Sequence, residues 1–560
     1  MALPFTSVKR GGEIVANVIE KLGMSKVFVE PGSQILPILD YLDKSVPEII
    51  GVINEGNGVV MADVVGRITG KPAVVLVTAG PGVTNCVTGV AQAYTANSPL
   101  LLVSARNPPE GPTEAFHGVA DPYFQERIFE PITKYTATVK EPKEIEPTII
   151  EAYRHSISGR FGPSYVAVVD KVLNEETEFP EHKINLSIDS PTVKGSPLSK
   201  IVNEIVTSKA PLIFAGKYVI RAGVQDKVEE LAKLLASPVI VPRNYPDAFP
   251  YGELYAGSIG QSDHPSATYA ISTSDLVISV GIRVGSSEDL ALRSRCNKHC
   301  NIIYIDIDNP SNSEVDGLFG DMRISLEALI SSLSEHKLDR AGREERIYII
   351  NKIKVQVESE VEKEIVSVSE RLNPLYVIRA IERSVNDNFF LIGDAGAAGG
   401  VWLNDVFRFR RTGRFLHSRN YDSMGFAVPG SIGAKIAAPE ADVVAVTGDG
   451  SFLLGVSDLG LVNKLHVNPV IVVFNDSKLG LIWKEQIERG SKPVATELPK
   501  VNISKIAEAM GLNGVTVSSN EEFYDKLQRA LTSKIGTVIE VPMNSEFPYP
   551  SRTIWKRKYF

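Results

Sequence analysis

The sequence predicts an α/β protein built from three successive doubly wound domains. Short, continuously apolar runs alternate with helical patterns along most of its 560 residues. Such runs are typical of parallel strands that helices cover on both faces. The chain is also too long for one hydrophobic core, and two polar connectors divide it. We therefore expect three open sheets, each with a ligand crevice beyond the carboxyl ends of its strands.

The predicted strands fall into three groups in chain order. Residues 1–175 contain KVFVE, IIGVI, AVVLVTAG and PLLLVSA. A polar linker leads to residues 196–335, which contain APLIFAG, SPVIVPR, SDLVISVG and NIIYIDID. A charged, helix-like connector leads to residues 370–548, which contain FFLIGDAG, DVVAVTGDG, PVIVVFND and TVIEVP. Residues 549–560 form a basic and aromatic tail, which is either solvated or closes over a nucleotide.

Composition excludes several classes of protein. The formal net charge of −8 argues against nucleic acid or an anionic membrane as a partner, and no apolar run has the length of a transmembrane helix. The first residues lack the layout of a signal peptide and predict a helix. With three cysteines a disulfide framework is not expected, so we predict a cytoplasmic protein. The pattern around Cys296, His299 and Cys300 is a weak metal signal, and we interpret these as ordinary thiols beside a loop.

The most informative stretch covers residues 448–480, where two predicted strands end in acidic turns. Gly448 and Gly450 let the backbone approach an anion, and the N–H groups of Gly450 and Ser451 can face it. Asp449 and Asp476 would meet in the same crevice. Hard carboxylate oxygens beside a phosphate group favour Mg²⁺ or Ca²⁺. A lone GDG would more often be an ordinary capped turn.

The stretch resembles the metal and diphosphate motif of thiamine diphosphate enzymes, in which GDG is followed after a spacer by Asn-Asn or Asn-Asp. The similarity extends to the group of acetolactate synthase, pyruvate oxidase and benzoylformate decarboxylase. It is carried by INEGNGVVMADVVGRITGKPAVVLVTAGPGVTNCVTGVAQAYTANSPLLLVSA, NYDSMGFAVPGSIGAKIA and IGDAGAAGG, and it covers nearly the whole chain. The resemblance implies the three-domain fold of that group and thiamine diphosphate with Mg²⁺ as cofactors.

The same resemblance assigns residues. Asp449, Asp476 and the backbone carbonyl of Lys478 would hold the metal. Glu55 would activate the cofactor, and Met424 would support its bent form. The implied cofactor-binding set is Glu55, Asp394, Gly396, Ala397, Asp422, Met424, Gly448, Gly450, Ser451, Leu479 and Gly480. In the group, the activating glutamate and the GDG motif meet across a subunit interface, which implies a homodimer or homotetramer.

Three further residues are candidates for contact with the substrate. PGSQILPILD resembles a decarboxylase segment whose serine binds the substrate carboxylate, which implicates Ser33, although a helix cap is an equal alternative. EAFHGVAD stands where acetolactate synthases have Asp-Ala-Phe-Gln-Glu. Phe116 would therefore wall the pocket. His117 would act as acid, base or carboxylate anchor, or is simply an exposed loop histidine.

Departures from the pattern leave the activity open. Arg283 is present in SVGIRVGSSEDL, but the Asp-Asp-Arg run that helps to hold flavin in acetolactate synthases is missing, so FAD is doubtful. Glu485 replaces the tryptophan that favours the second 2-oxoacid. Asn54 stands where the group usually has a histidine before the activating glutamate. The resulting Asn-Glu pair resembles that of oxalyl-CoA decarboxylases and 2-hydroxyacyl-CoA lyases. We expect a decarboxylase or carboligase of a small 2-oxoacid, pyruvate first. The first alternative is an enzyme like 2-hydroxyacyl-CoA lyase or oxalyl-CoA decarboxylase. The second alternative is a flavin-dependent enzyme like pyruvate oxidase.

Overall fold

The computed structural model describes residues 6–45, 48–112, 114–180, 184, 186, 192–309, 314–367, 372–544, 546–557 and 559. Across these ranges the chain forms three open, largely parallel sheets with helices on their faces. The predicted α/β class and its three successive doubly wound domains are confirmed.

The N-terminal domain is a parallel sheet. Its strands, in spatial order, are Glu48–Gly51, Lys26–Val29, Ala73–Val77, Leu100–Arg106, Pro163–Val169 and Tyr135–Val139. Its helices are Gly11–Lys21, Leu36–Ser45, Glu55–Thr69, Pro81–Asn85, Val87–Thr95, Phe124–Phe129 and Ile145–Ile157. A separate antiparallel pair joins Thr6–Arg10 to Glu176–Pro180. The order of strands reverses beside Lys26–Val29 and Ala73–Val77, which opens a crevice at their carboxyl ends.

The central domain is parallel except for one short edge strand. The spatial order is Tyr255–Ile259, Val239–Pro242, Pro211–Ala215, Leu276–Val280, Asn301–Asp306, Gly317–Phe319 and the antiparallel Lys194–Gly195. Its helices are Leu198–Thr207, Lys217–Arg221, Gln225–Leu235, Pro265–Ser272, Ser287–Arg293 and Met322–Ser334. The predicted charged connector is the long helix Ala341–Ser367.

The C-terminal domain is again parallel. Its strands follow the order Phe415–His417, Phe389–Gly393, Asp442–Gly448, Val470–Asn475, Thr537–Pro542 and Asn513–Thr516. Its helices are Pro374–Ser384, Leu403–Val406, Ala427–Ala437, Asp449–Gly455, Leu461–Lys464, Gly480–Glu488, Ile503–Ala509, Asn520–Thr532 and Pro550–Thr553, with a π-helical turn at Ala397–Trp402. Short 3-10 turns occur at Ser33–Ile35, Glu130–Ile132, Pro142–Glu144, Asp170–Leu173, Arg419–Tyr421 and Val456–Asp458.

The two outer domains share one hydrophobic core. Helices Glu55–Thr69 and Ala427–Ala437 pack so closely that a Cβ on Gly433 would lie 2.7 Å from the carbonyl oxygen of Met61. Apolar side chains from both domains continue this contact into a single cluster that includes Val59 and Ile432, whereas the central domain has a core of its own. Within the described ranges, no helix is both long and apolar enough to cross a membrane.

The tail packs through its apolar residues, whereas Thr553, Lys556 and Arg557 are exposed. Tyr549, Ile554 and Trp555 are buried in the core of the C-terminal domain. The Arg243 guanidinium of the central domain lies 5.1 Å from the ring of Trp555 and forms a 2.5 Å ion pair with Asp405 of the C-terminal domain. The tail therefore joins these two domains.

Candidate active site

A cavity of about 260 Å³ opens at the carboxyl edge of the C-terminal sheet. It lies where the order of strands reverses, which is the usual ligand position in open α/β sheets. The residues that line it are Ala395, Gly396, Ala397, Ala398, Trp402, Asp422, Met424, Gly448, Asp449, Gly450, Ser451, Phe474, Asp476, Lys478, Leu479, Gly480, Leu481, Ile482, Met543 and Tyr549. The structure thus brings together the residues predicted from the C-terminal motifs, apart from Asp394.

Two carboxylates that interact electrostatically, those of Asp449 and Asp476, line this cavity. Burial raises the pKa of Asp449 to about 6, and the charge of Asp476 acts in the same direction. Asp449 accepts a hydrogen bond of 2.8 Å from the N–H of Gly450, and Asp476 accepts one of 3.1 Å from the N–H of Lys478. Two like charges held close together at low exposure favour a bound cation.

The protein alone offers an incomplete metal shell. Over the described residues there is no cluster of three or more His, Cys, Asp or Glu side chains suited to a metal ion. Asp449, Asp476 and the carbonyl of Lys478 would supply part of the shell of a hard cation, and Mg²⁺ ordinarily takes its remaining ligands from substrate phosphates and water. The donor set therefore fits a magnesium ion that shares its ligands with a diphosphate.

Glycines leave room for that diphosphate. Gly396 has a φ of 101°, and Cβ atoms built on Gly396 and Gly448 would meet nothing within 4 Å. A Cβ on Gly450 would instead lie 3.3 Å from the terminal methyl group of Met424. Met424 is 40% exposed and stands in the cavity wall. The cavity is therefore lined by bare backbone on one side and by an apolar side chain on the other.

Asp394 does not line the cavity but hydrogen-bonds to the loop that forms part of its wall. Its buried carboxylate accepts from the N–H groups of Gly425 at 3.1 Å and Ala427 at 2.9 Å, and from the Thr447 hydroxyl at 3.2 Å. Burial raises its pKa to about 6. These bonds fix the loop that carries Met424, so Asp394 acts on the site through the backbone.

The buried carboxylate of Glu540 supports the turn that carries Asp476 and Lys478. The Asn475 amide donates to Glu540 at 2.7 Å, and its carbonyl oxygen accepts from the N–H of Ser477 at 3.2 Å. Ser477 has a φ of 53°, a left-handed conformation that is uncommon for serine. The Asn475 side chain thus stabilises the turn between Asp476 and Lys478. Glu540 was not among the residues predicted from sequence.

Glu55 lies at the carboxyl edge of the N-terminal sheet and does not line the cavity of its own chain. Its side chain is 7% exposed and accepts a hydrogen bond of 2.9 Å from the Asn85 amide. Burial raises the pKa of Glu30, and burial raises that of the Cys86 thiol well above its ordinary value. In both cases the charge of Glu55 acts in the same direction.

The helix that begins at Glu55 is fixed by the other outer domain. The buried carboxylate of Asp458 accepts from the N–H of Ile53 at 2.6 Å, the N–H of Asn54 at 3.2 Å and the Asn57 amide at 2.7 Å. Asn54 caps the helix by accepting from the N–H of Asn57 at 3.1 Å. Asp458 therefore positions Glu55, a role that the sequence did not reveal.

The loop with Phe116 and His117 lies at the same edge as Glu55. The two rings stack with their centroids 3.9 Å apart, and Phe116 is 77% exposed. His117 Nδ1 lies 3.3 Å from Oε1 of Gln34, the residue after the predicted Ser33. Ser33 is itself exposed and begins a short 3-10 turn. The structure thus places Ser33 next in sequence to a residue that contacts His117, and His117 in turn stacks on Phe116.

A larger cavity, of about 520 Å³, lies between the N-terminal and central domains. Arg283 and Lys217 line it, and burial lowers the pKa of Lys217 to about 8. Arg160 also lines it but forms ion pairs of 2.6 Å with Asp306 and 2.9 Å with Asp308. This is the crevice at the carboxyl ends of the central strands.

The tail completes the wall of the smaller cavity. Tyr549 lines that cavity, and Lys484 lies 4.2 Å from its ring centroid. Arg552 forms ion pairs of 2.7 Å with Glu485 and 3.1 Å with Glu488. The tail therefore pairs a cation with Glu485.

Comparison with known proteins follows the three domains. Family descriptions match residues 9–121 as "Thiamine pyrophosphate enzyme, N-terminal TPP binding domain", 198–329 as "Thiamine pyrophosphate enzyme, central domain" and 394–541 as "Thiamine pyrophosphate enzyme, C-terminal TPP binding domain". Together the matches cover more than half of the chain.

Similar curated proteins extend over almost the full length. The chain is 27% identical to the acetolactate synthase of Bacillus subtilis (strain 168), covering 96% of this chain and 93% of that protein. It is 29% identical to a probable acetolactate synthase large subunit of Methanocaldococcus jannaschii, with coverages of 95% and 91%. It is 28% identical to the acetolactate synthase isozyme 3 large subunit of Escherichia coli (strain K12), with coverages of 93% and 92%.

Proposed function

Because the chain belongs to the thiamine pyrophosphate (thiamine diphosphate) enzymes, we propose that it decarboxylates a small 2-oxoacid and joins the remaining fragment to a second carbonyl compound. Pyruvate is the first substrate proposed, as in acetolactate synthesis. The observation that carries the proposal is the pair of interacting carboxylates, Asp449 and Asp476, at the glycine-lined cavity. The full-length similarity to acetolactate synthases supports the choice of substrate.

The C-terminal domain would hold the cofactor and its metal. Asp449, Asp476 and the Lys478 carbonyl would bind Mg²⁺, and the backbone at Gly396, Gly448 and Gly450 would leave space for the diphosphate. The flanking Ala397, Asp422, Ser451, Leu479 and Gly480 line the same cavity. When bound, thiamine diphosphate supplies the carbon nucleophile and the electron sink for breaking a carbon–carbon bond beside a carbonyl. Met424 would give the cofactor an apolar support.

The N-terminal domain would supply the proton-transfer group. Glu55 is buried and fixed by Asn85 and by the backbone bonds to Asp458, so it can hold a hydrogen bond to a ring nitrogen at a defined position. Because Glu55 does not line the cavity of its own chain, the site requires the cavity of a second copy. We therefore propose a homodimer, or a homotetramer made of such dimers.

Exposed apolar side chains support this assembly. Ile53 is 72% exposed, Phe116 is 77% exposed and Leu454 is 61% exposed. Ile53 precedes Glu55 and Leu454 follows the GDG turn, so both flank the two halves of the proposed site. Association of two copies would remove these side chains from water. The active sites would then lie at the subunit interface.

The substrate would bind in the crevice of the N-terminal sheet. Phe116 would form an apolar wall, and Ser33 would contact the carboxylate as in the decarboxylase segment that it resembles. His117 would act on a polar group of the substrate. These three roles remain proposals drawn from the resemblance and from the position of the residues at one edge of the sheet.

Flavin is not part of the proposed reaction. The central cavity could accept a phosphate-bearing molecule, since Lys217 and Arg283 line it. However, Asp306 and Asp308 already engage Arg160, and the Asp-Asp-Arg run of flavin-binding relatives is missing. We propose a cytoplasmic location, which the free thiols of Cys86, Cys296 and Cys300 support. The domain boundaries at 1–175, 196–335 and 370–548 remain predictions.

The test supplies pyruvate to the protein loaded with Mg²⁺ and thiamine diphosphate. Release of carbon dioxide together with acetolactate would support the proposal. Release of carbon dioxide with acetaldehyde would support the proposed decarboxylation and contradict the proposed carboligation. Turnover of a 2-hydroxyacyl-CoA or oxalyl-CoA, with none of pyruvate, would contradict it in favour of the CoA-dependent alternative. Visible flavin absorbance in the purified protein would contradict the flavin-free reaction.

A further inference from the structure

The orientation of the Gln34 side chain is determined by its neighbours. Its Oε1 accepts from the N–H of Ala79 at 3.3 Å and lies 3.1 Å from the Thr78 hydroxyl. Its Nε2 donates to Asn107 at 2.9 Å and to the Asp170 carboxylate at 3.4 Å. A backbone N–H can only donate, and a carboxylate can only accept. The amide therefore has its oxygen toward Ala79 and its nitrogen toward Asp170.

This orientation determines which ring nitrogen of His117 carries the proton when the imidazole is neutral. Oε1 of Gln34 is also the atom that faces Nδ1 of His117, at 3.3 Å. A carbonyl oxygen cannot donate, so Nδ1 must carry the proton for this contact to be a hydrogen bond. In a neutral imidazole the other nitrogen then has the free lone pair. Nε2 of His117 is accordingly the basic nitrogen.

The loop that carries His117 is held in a strained, closely packed form. Glu114 and His117 have φ values of 59° and 64°, in the left-handed region. The Asn107 amide donates to the carbonyl of Phe116 at 2.8 Å. A Cβ on Gly80 would lie 2.6 Å from the carbonyl oxygen of His117. Non-glycine residues persist in such conformations only where the surroundings enforce them, and such residues concentrate at functional sites.

We propose that Gln34 is a positioning residue that fixes His117 in the Nδ1-protonated form, so that Nε2 serves as a proton acceptor for the substrate. The proposal rests on the proposed function, because it needs a substrate in this crevice. A 2-oxoacid gains a hydroxyl group only when a carbon nucleophile adds to its carbonyl. Nε2 would take the proton of that hydroxyl group, the O–H electron pair would re-form the carbonyl as the bond to the added carbon breaks, and the imidazolium would return the proton to the next carbonyl oxygen that undergoes addition. In this neutral form Nε2 has no proton to donate to a substrate carboxylate.

The first test needs no substrate. Protein labelled with ¹⁵N-histidine is compared with His117→Ala, which identifies the His117 signals, above the pH at which histidine is protonated. We expect a protonated Nδ1 and an unprotonated Nε2. Gln34→Met should abolish this preference, whereas Thr78→Val, which removes a different partner of the same oxygen, should retain it. A wild-type His117 protonated at Nε2 would overturn the proposal, whatever the enzyme does with pyruvate.

The second test asks whether Gln34 acts through His117. Gln34→Met should lower kcat with pyruvate by about tenfold or more, part of the effect expected for an acid–base group. In the His117→Ala background the same change should have no further effect, since residues that act as a unit are not additive. Independent, additive losses would overturn the proposal. Absence of any pyruvate turnover in wild type would refute the proposed function, and the labelling experiment would still decide the state of His117.

Discussion

The side-chain amide of Asn475 donates to the carboxylate of Glu540 across 2.7 Å, next to the turn that carries Asp476. The second oxygen of Glu540 accepts from the Thr516 hydroxyl at 2.8 Å and from the N–H of Ser504 at 3.2 Å. The carboxylate is thus held from both sides. It in turn fixes the Asn475 amide, whose oxygen stabilises the left-handed Ser477.

Glu540→Gln should weaken metal binding. Glutamine has a single acceptor oxygen and cannot accept from both the Asn475 amide and the N–H of Ser504, so the support of the Asn475 amide is weakened. Partners behind a metal ligand typically contribute 10–100-fold in metal affinity. We expect the Mg²⁺ concentration for half-maximal activity to rise by roughly that factor. Thr516→Val, which removes another partner of the same carboxylate, is the matched control. An unchanged Mg²⁺ requirement in Glu540→Gln would contradict this role.

Asp449→Asn should stabilise the metal-free protein and abolish its stabilisation by metal. Burial raises the pKa of Asp449 to about 6. A carboxyl group whose pKa is raised in the folded state destabilises that state once the pH exceeds the group's ordinary pKa. The loss of stability is complete above about pH 6. At pH 8 the variant should therefore unfold at a higher temperature than wild type without metal. With Mg²⁺ and thiamine diphosphate only wild type should gain stability. An equal gain in both would exclude Asp449 from the metal site.

Glu55→Gln should retain thiamine diphosphate binding and lose most activity. The amide keeps the size of the side chain and its place beside Asn85, but it cannot exchange a proton as the carboxyl group does. The loss of acid–base function typically costs about 10²–10⁴-fold. Calorimetry measures the binding and pyruvate consumption measures the rate. Glu30→Gln, at the same edge of the sheet, is the control. Unchanged turnover in Glu55→Gln would refute its assignment.

Acid should destabilise the protein through His264. Burial lowers the pKa of His264 to about 3, and the charges of Lys354 and Arg243 act in the same direction. The unfolded chain takes up a proton near pH 6.5, which the folded protein resists. This contribution to stability therefore falls as pH drops from about 6.5 toward 3, by up to about 1.4 kcal/mol per pH unit.

His264→Asn tests that dependence. Asparagine can still cap helix Pro265–Ser272, as His264 does by accepting from the N–H of Ser266. The variant lacks the titrating ring. Unfolding midpoints in urea, measured between pH 4 and pH 7, should fall less steeply with acid than those of wild type. Parallel profiles for the two proteins would show that another group carries the effect.

Much of the site was predictable because it is encoded locally. Asp449 and Asp476 each follow a strand directly, and the carboxyl ends of neighbouring parallel strands must meet at one edge. Gln34, Asp458 and Glu540 were missed because their partners are distant in sequence. Asp458, for example, bonds to residues 53–57, about 400 positions earlier. Glu540 gave one usable signal, a lone acid within the apolar strand TVIEVP.

The burial of the tail, in contrast, could not be predicted from its own residues. SRTIWKRKYF has the composition of a solvated segment, yet Ile554 and Trp555 are buried. Composition could not predict this, since Trp555 packs against Arg243 and His264 and the N–H of Ser551 donates to Asp405, all distant in sequence. The tail's basic residues also serve a local purpose, since Arg552 neutralises Glu485 and Glu488.

The core that joins the outer domains has a consequence for how the protein can change. Val59 and Ile432 belong to one apolar cluster although more than 300 residues separate them, and the close approach of Gly433 to Met61 leaves no room for a larger residue. In physical terms the central domain is an insertion between two halves of a single body. Substitutions inside its separate core can be accommodated within that domain, whereas a substitution at the shared core of the outer domains requires compensation in the other.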